Sequence, residues 1–134
     1  MCCGLSQEDN IADYVESQDW PGLEIVHDLP GRGRGVKATC TLQPTQVVCD
    51  YHGELLSHKD GKERYEASGE NEMGYMFSFR HNGSSYWVDA TKELPGPGRL
   101  INHSRCHANV STSSVFHHVV FVSCLLYPSS LRQR

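Results

Sequence analysis

The residues able to do chemistry lie in a few short, separated stretches. Three glycines alternate with arginines in Pro30-Gly31-Arg32-Gly33-Arg34-Gly35. That spacing permits positive φ and a close approach of backbone to a ligand, although the same pattern also serves as an ordinary turn. Tyr51 sits in Tyr51-His52-Gly53-Glu54 and Tyr75 in Gly74-Tyr75-Met76-Phe77. Val88-Asp89-Ala90-Thr91 follows, and then Gly98-Arg99-Leu100-Ile101-Asn102-His103-Ser104. Singly, each has a plain structural reading: the tyrosines as core residues, His103 as a satisfied structural histidine, Asp89 as a turn anchor. The six cysteines include no C-x-x-C pair and no His/Cys spacing that would cage zinc, so reduced intracellular thiols are expected.

These residues need elements to position them. Ile11, Tyr14 and Val15, at i, i+3 and i+4, predict a short amphipathic helix over 7–19, ending before Trp20-Pro21-Gly22. From Leu23 the texture changes to short apolar runs between turn residues: 23–26, 35–39 and 46–51 read as strands. Residues 57–70 are charged and read as a solvated helix or loop. His81-Asn82-Gly83-Ser84 carries an Asn-Gly turn signal between runs 74–79 and 85–90, which predicts a hairpin. The run 115–127 is too short to cross a bilayer, which takes ~20 residues, and reads as a strand or an orphan apolar segment.

Length and charge narrow the class. The 134 residues leave room for one domain with a modest core, and 38% hydrophobic with 21% charged residues is an ordinary soluble composition. All 16 acids lie at or before Glu93, whereas Arg99, Arg105, Arg132 and Arg134 follow it without an acid. An acidic body argues against direct nucleic-acid binding and suits a basic peptide. The break in composition suggests two unlike sequences joined.

In order and spacing, the loop 31–36, Tyr51-His52-Gly53-Glu54, Gly74-Tyr75-Met76-Phe77, Val88-Asp89-Ala90-Thr91 and Gly98–Ser104 resemble the successive signatures of SET-domain protein-lysine methyltransferases. The likeness is greatest to the monomethylating enzymes that act on the histone H4 tail, and it runs from about Gly22 to about Cys106. It implies a mostly-β (α+β) fold of short strands and small sheets with an N-terminal helix. It implies S-adenosyl-L-methionine (SAM) as cofactor, held by Arg32, Gly33 and Arg34 of the loop, by Tyr75, and by Asn102 and His103. Tyr51 matches a tyrosine lining the channel for the target lysine and is the candidate catalytic residue; no metal is implied. The implied reaction is an in-line displacement in which a neutral amine attacks a methyl on a sulfonium, so two ligands must be aligned from opposite sides of a narrow passage. Phenol and carbonyl oxygens can stabilise that transfer without a strong base. A histone tail or other basic lysine-containing peptide is the implied partner, no membrane is involved, and the implied location is the nucleus, with the cytoplasm as the alternative.

The resemblance stops after Cys106. A full SET domain continues with an apolar strand pair and an E-L-x-Y-D-Y-G type motif that supplies a catalytic tyrosine and threads beneath the N-H-S segment to form a pseudoknot. Tyr127 is followed by Pro-Ser-Ser and does not match that motif. The expected organisation is an N-terminal helical segment (1–21), a partial SET domain (22–109) truncated before the pseudoknot closes, and a tail of unrelated sequence (110–134). Two functions are open on this reading: a methyltransferase by descent, impaired in this chain, or a catalytically silent fragment that binds and regulates.

Overall fold

A computed structural model describes residue 5 and residues 10–70, 74–104, 106–115, 118–123 and 131–133. Tyr127, Cys2, Cys3 and the first residues of the expected helix lie outside the described residues. The chain adopts the mostly-β architecture expected of it, with three small sheets and two α-helices among the described residues.

The N-terminal helix α1 spans Ile11–Ser17 and buries Ile11 and Val15. It stops at Gln18, which takes a left-handed φ of 57° and returns its backbone N–H to the Tyr14 carbonyl. Strands β1 (Leu23–Leu29) and β2 (Gly33–Ala38) form an antiparallel pair. Its connection, through Gly31 and Gly33 at φ 71° and 69°, is the alternating glycine loop.

A second sheet has the order β4-β6-β5, with β4 at Glu54–Ser57, β5 at Met76–His81 and β6 at Ser84–Asp89. The predicted hairpin is β5–β6, with Asn82 and Gly83 at φ 50° and 82°, as a two-residue turn requires. Helix α2 (His58–Ala67), capped by the Ser57 hydroxyl accepting from the Asp60 N–H, lies beside this sheet. Of the two forms open to 57–70, helix or loop, the helix forms because it packs Tyr65 on Trp87 with ring centroids 5.0 Å apart.

The third sheet runs β3-β9-β8-β10-β7. Its strands are β3 (Val47–Asp50), β7 (Asn102–His103), β8 (Val110–Val115), β9 (His118–Ser123) and β10 (Arg132–Gln133). The boundary expected after residue 109 therefore falls at the entry to β8. Strands β8 and β9 form an antiparallel hairpin whose second strand pairs with β3. Val110, Val120 and Phe121 are fully buried there, with Val119 almost so, packed in one core with Ile11, Val36, Val47 and Val48. The cysteines depart from the expectation of reduced thiols throughout: Cys40 is in a disulfide, whereas Cys49, buried, and Cys106, exposed, are free.

Candidate functional site

The glycine loop and the N-H-S strand meet. Asn102 reaches across with its side-chain amide to donate to the Arg34 carbonyl at 3.2 Å. Arg32 in turn donates from Nη1 to the His103 carbonyl at 3.2 Å. Gly35 explains how the two strands come so close: a Cβ there would press on Leu29 and stand 2.9 Å from the Asn102 amide nitrogen. Gly31 and Gly33 instead face open space, so the loop backbone between them is approachable from solvent. Arg32, Gly33, Arg34 and His103 are exposed and Asn102 is half-buried.

Tyr75 and Tyr51 belong to an adjoining cluster. The Tyr75 carbonyl accepts from the Ala90 N–H at 2.9 Å, and the Arg99 guanidinium carbon stands 3.9 Å from the centre of the Tyr75 ring. Arg99 is fixed by donating to the carbonyls of Ala90 (2.9 Å) and Thr91 (3.2 Å). Tyr51 is buried, with Phe77 tilted against it at 5.9 Å and Phe121 edge-on at 6.3 Å. Burial pushes its phenol up to about 12; Arg99 opposes this, while Tyr75 and Asp89 add to it. At neutral pH Tyr51 is thus a protonated phenol, able to donate or accept a hydrogen bond but not to serve as a phenolate base.

The loop and the tyrosines are linked through Glu93. Arg34 pairs with it at 2.6 Å, and its carboxyl lies below the usual range because Arg34 hydrogen-bonds it, with the Arg99 charge adding to the lowering. The seven predicted residues therefore occupy two neighbouring groups, Arg32, Gly33, Arg34, Asn102 and His103 in one and Tyr51 and Tyr75 in the other, joined by Arg34, Glu93 and Arg99. Sequence reasoning did not single out Arg99 or Glu93. Arg99 stood inside a quoted motif, which was the available signal.

Motif glycines set the spacing. A Cβ at Gly98 would collide with the Asp50 carbonyl and stand 3.3 Å from the Tyr51 Cα, so the 3-10 turn at Gly98–Leu100 can press on the backbone that carries Tyr51. At Gly53 a Cβ would meet the Asp89 carbonyl oxygen at 2.5 Å. Behind Tyr51, buried Asp50 accepts from Gln18 Nε2 at 2.9 Å and pairs with His52 Nδ1 at 3.0 Å. Trp20 Nε1 closes the chain by donating to Gln18 Oε1 at 3.2 Å. This network ties α1 to the Tyr51 strand.

Comparison with known proteins gives the class. The SET domain family model matches residues 33–126, and the chain belongs to the SET domain family. That match includes β8 and β9, beyond the boundary expected after residue 109. The chain is 36% identical to the Caenorhabditis elegans histone-lysine N-methyltransferase set-1 over 75% of its own length and 44% of that protein's. Among solved structures it resembles CpSET8 from Cryptosporidium, with a TM-score of 0.71, 28% identity, and coverage of 94% of this chain and 62% of that one. It shares the fold of Arabidopsis thaliana SUVH6, solved in complex with SAM, at a TM-score of 0.66 and 24% identity over 86% of this chain and 28% of that one. The chain spans less than half the length of the curated relatives it matches.

Proposed function

We propose that the chain is by descent a SAM-dependent protein-lysine N-methyltransferase whose substrate is a basic histone-tail lysine, that of histone H4, and that it works in the nucleus. The observation that carries this reading is the Asn102 amide bonded to the Arg34 carbonyl, which joins the two segments expected to hold SAM. The residues fit that cofactor. The loop at Gly31 and Gly33 has open space where side chains would stand, and exposed His103 lies beside it. Arg32, Gly33 and Arg34 would hold SAM along the loop backbone, Asn102 and His103 its polar ends, and Tyr75 would lie against it. When bound, SAM supplies a methyl on a sulfonium for transfer to a neutral amine. Tyr51, kept as a phenol, orients the amine through its oxygen and helps exclude water. The acidic body attracts a basic peptide.

The same reading includes weak turnover by this chain alone. No segment of the 134 residues matches the downstream tyrosine motif, and loss of one well-placed electrostatic contributor typically costs about a hundredfold to a thousandfold. The second reading is a catalytically silent fragment that keeps affinity for cofactor or partner.

The deciding experiment follows labelled methyl transfer from SAM to an H4-tail peptide, alongside SAM binding by calorimetry, with His103→Ala as background. The expected result is measurable SAM binding with turnover close to that background. Turnover well above it would show that the chain has a working catalytic centre and would make Tyr127 the next residue to mutate. Absence of SAM binding would sink the cofactor reading.

A further inference from the structure

Two carboxylates face each other across a pair of strands. Glu54 on β4 and Asp89 on β6 stand directly opposite in the register, an arrangement that costs stability when both are charged. Helix α2 supplies the cation between them: Arg64 donates from Nη1 to Glu54 Oε2 at 2.6 Å and to Asp89 Oδ2 at 3.0 Å. The two acids differ in freedom, since the Glu54 side chain is 61% exposed and that of Asp89 only 12%. Asp89 uses its other oxygen, Oδ1, to accept from the Thr91 N–H at 2.9 Å. Thr91 in turn offers its carbonyl to Arg99 Nη2 at 3.2 Å, and the Arg99 guanidinium lies over the Tyr75 ring.

From this chain of contacts we infer that Arg64 is a positioning residue for the cofactor site, acting from helix α2 through Asp89 and Thr91 on the Arg99–Tyr75 pair. Its cation lets Asp89 stay ionised beside Glu54 with both oxygens engaged. Burial pushes the Asp89 carboxyl up, but the bonds from Thr91 and Arg64 outweigh it and hold the group below its usual value. Without the cation, Asp89 faces an uncompensated like charge and its hold on the Thr91 N–H loosens. The segment 89–91 then no longer fixes the carbonyl that restrains Arg99, because the bonds act as one network. A single nitrogen of Arg64 serves both acids, so a lysine ammonium can replace it, unlike the fork that Arg99 makes with two carbonyls. The consequence for SAM rests on the proposed function; the relay rests on the geometry alone.

The test uses the full chain with Arg64→Met, which keeps the apolar stem and removes the charge, Arg64→Lys, Arg99→Met, and the double variant Arg64→Met/Arg99→Met. Hydrogen exchange of the Thr91 amide and the Arg99 Nε–H is read by NMR without SAM, and SAM affinity by calorimetry. Arg64→Met should speed exchange at both groups about threefold, leave the β1–β2 pair unchanged, and weaken SAM binding about threefold, in keeping with the small free energies of partly exposed ion pairs. Arg64→Lys should restore most of both. In the Arg99→Met background, Arg64→Met should cost no further SAM affinity. Unchanged exchange at Thr91 and Arg99 would overturn the relay, and so would equal acceleration in the β1–β2 pair, which would mark a general loss of stability. A threefold loss of affinity that persists in the Arg99→Met background would overturn it too, since Arg64 would then act by its own charge. If the parent chain binds no SAM, the cofactor reading fails and the exchange pattern alone decides the relay.

Discussion

The Arg99 guanidinium stands 3.9 Å from the centre of the Tyr75 ring while two of its N–H groups are held by the carbonyls of Ala90 and Thr91. A planar cation can satisfy both contacts at once, and a lysine ammonium cannot reproduce the fork.

Arg99→Met should therefore cost about 1.5–3 kcal/mol of stability, the range for hydrogen bonds to a charged group, and should weaken SAM binding. Arg99→Lys should recover less than half of the stability. Urea unfolding of the three proteins checks this. A lysine variant equal to the parent would show that charge near Tyr75 suffices and the fork does not matter.

The His52–Asp50 pair gives a pH dependence with a definite sign. The hydrogen bond to Asp50 raises the His52 value, burial opposes it, and the Asp50 charge adds to the rise. A raised folded value means the protonated ring is favoured in the native state. Its contribution is fully present below the unfolded value of about 6.5 and is lost as pH rises through the folded one. Urea midpoints for the parent and His52→Asn should differ most at low pH and converge at high pH. A gap that widens with rising pH would contradict the sign.

Gly61 lies inside α2, where a Cβ would collide with Cβ, Cγ and Cδ1 of Trp87. These atoms sit close to the Trp87 backbone and cannot swing away cheaply. Alanine is the better helix former by about 1 kcal/mol, but overpacking typically costs about 1–3 kcal/mol. Gly61→Ala is expected to be net destabilising in thermal unfolding, and a rise in Tm would show that the indole moves freely.

Phe121 is fully buried and meets Tyr51 edge-on. Phe121→Ala should cost about 3–5 kcal/mol, a large share of the ~5–15 kcal/mol that holds a typical domain together. Loss of the cooperative transition is the expected observation. Near-parent stability would mean that β9 contributes little to the core.

Helix α1 and the β5–β6 hairpin were legible because their signals are local. Ile11, Tyr14 and Val15 share one helical face, and Asn82-Gly83 asks for positive φ at both positions. The strand character of 110–115 was not legible, since Val-Ser-Thr-Ser-Ser-Val carries the polar run of a loop and is ordered by pairing with β9. Strand β10 had no pattern to read: a two-residue strand takes its conformation from β7 and β8. In the site, the motifs named the loop, Asn102 and His103. The roles of Arg99, Glu93 and Gln18 depend on contacts between distant parts of the chain, which no spacing in a single sequence discloses.

Strand β3 buries all four of its residues, yet its ladder partner β9 comes from far downstream. On the ribosome, the β4-β6-β5 sheet with α2 can assemble from neighbouring sequence while β3, bridged to Leu5 upstream, still waits for β9 on its other edge. The nascent chain thus carries an unpaired apolar edge through much of its synthesis, the kind of surface that chaperones hold and that aggregates at high expression.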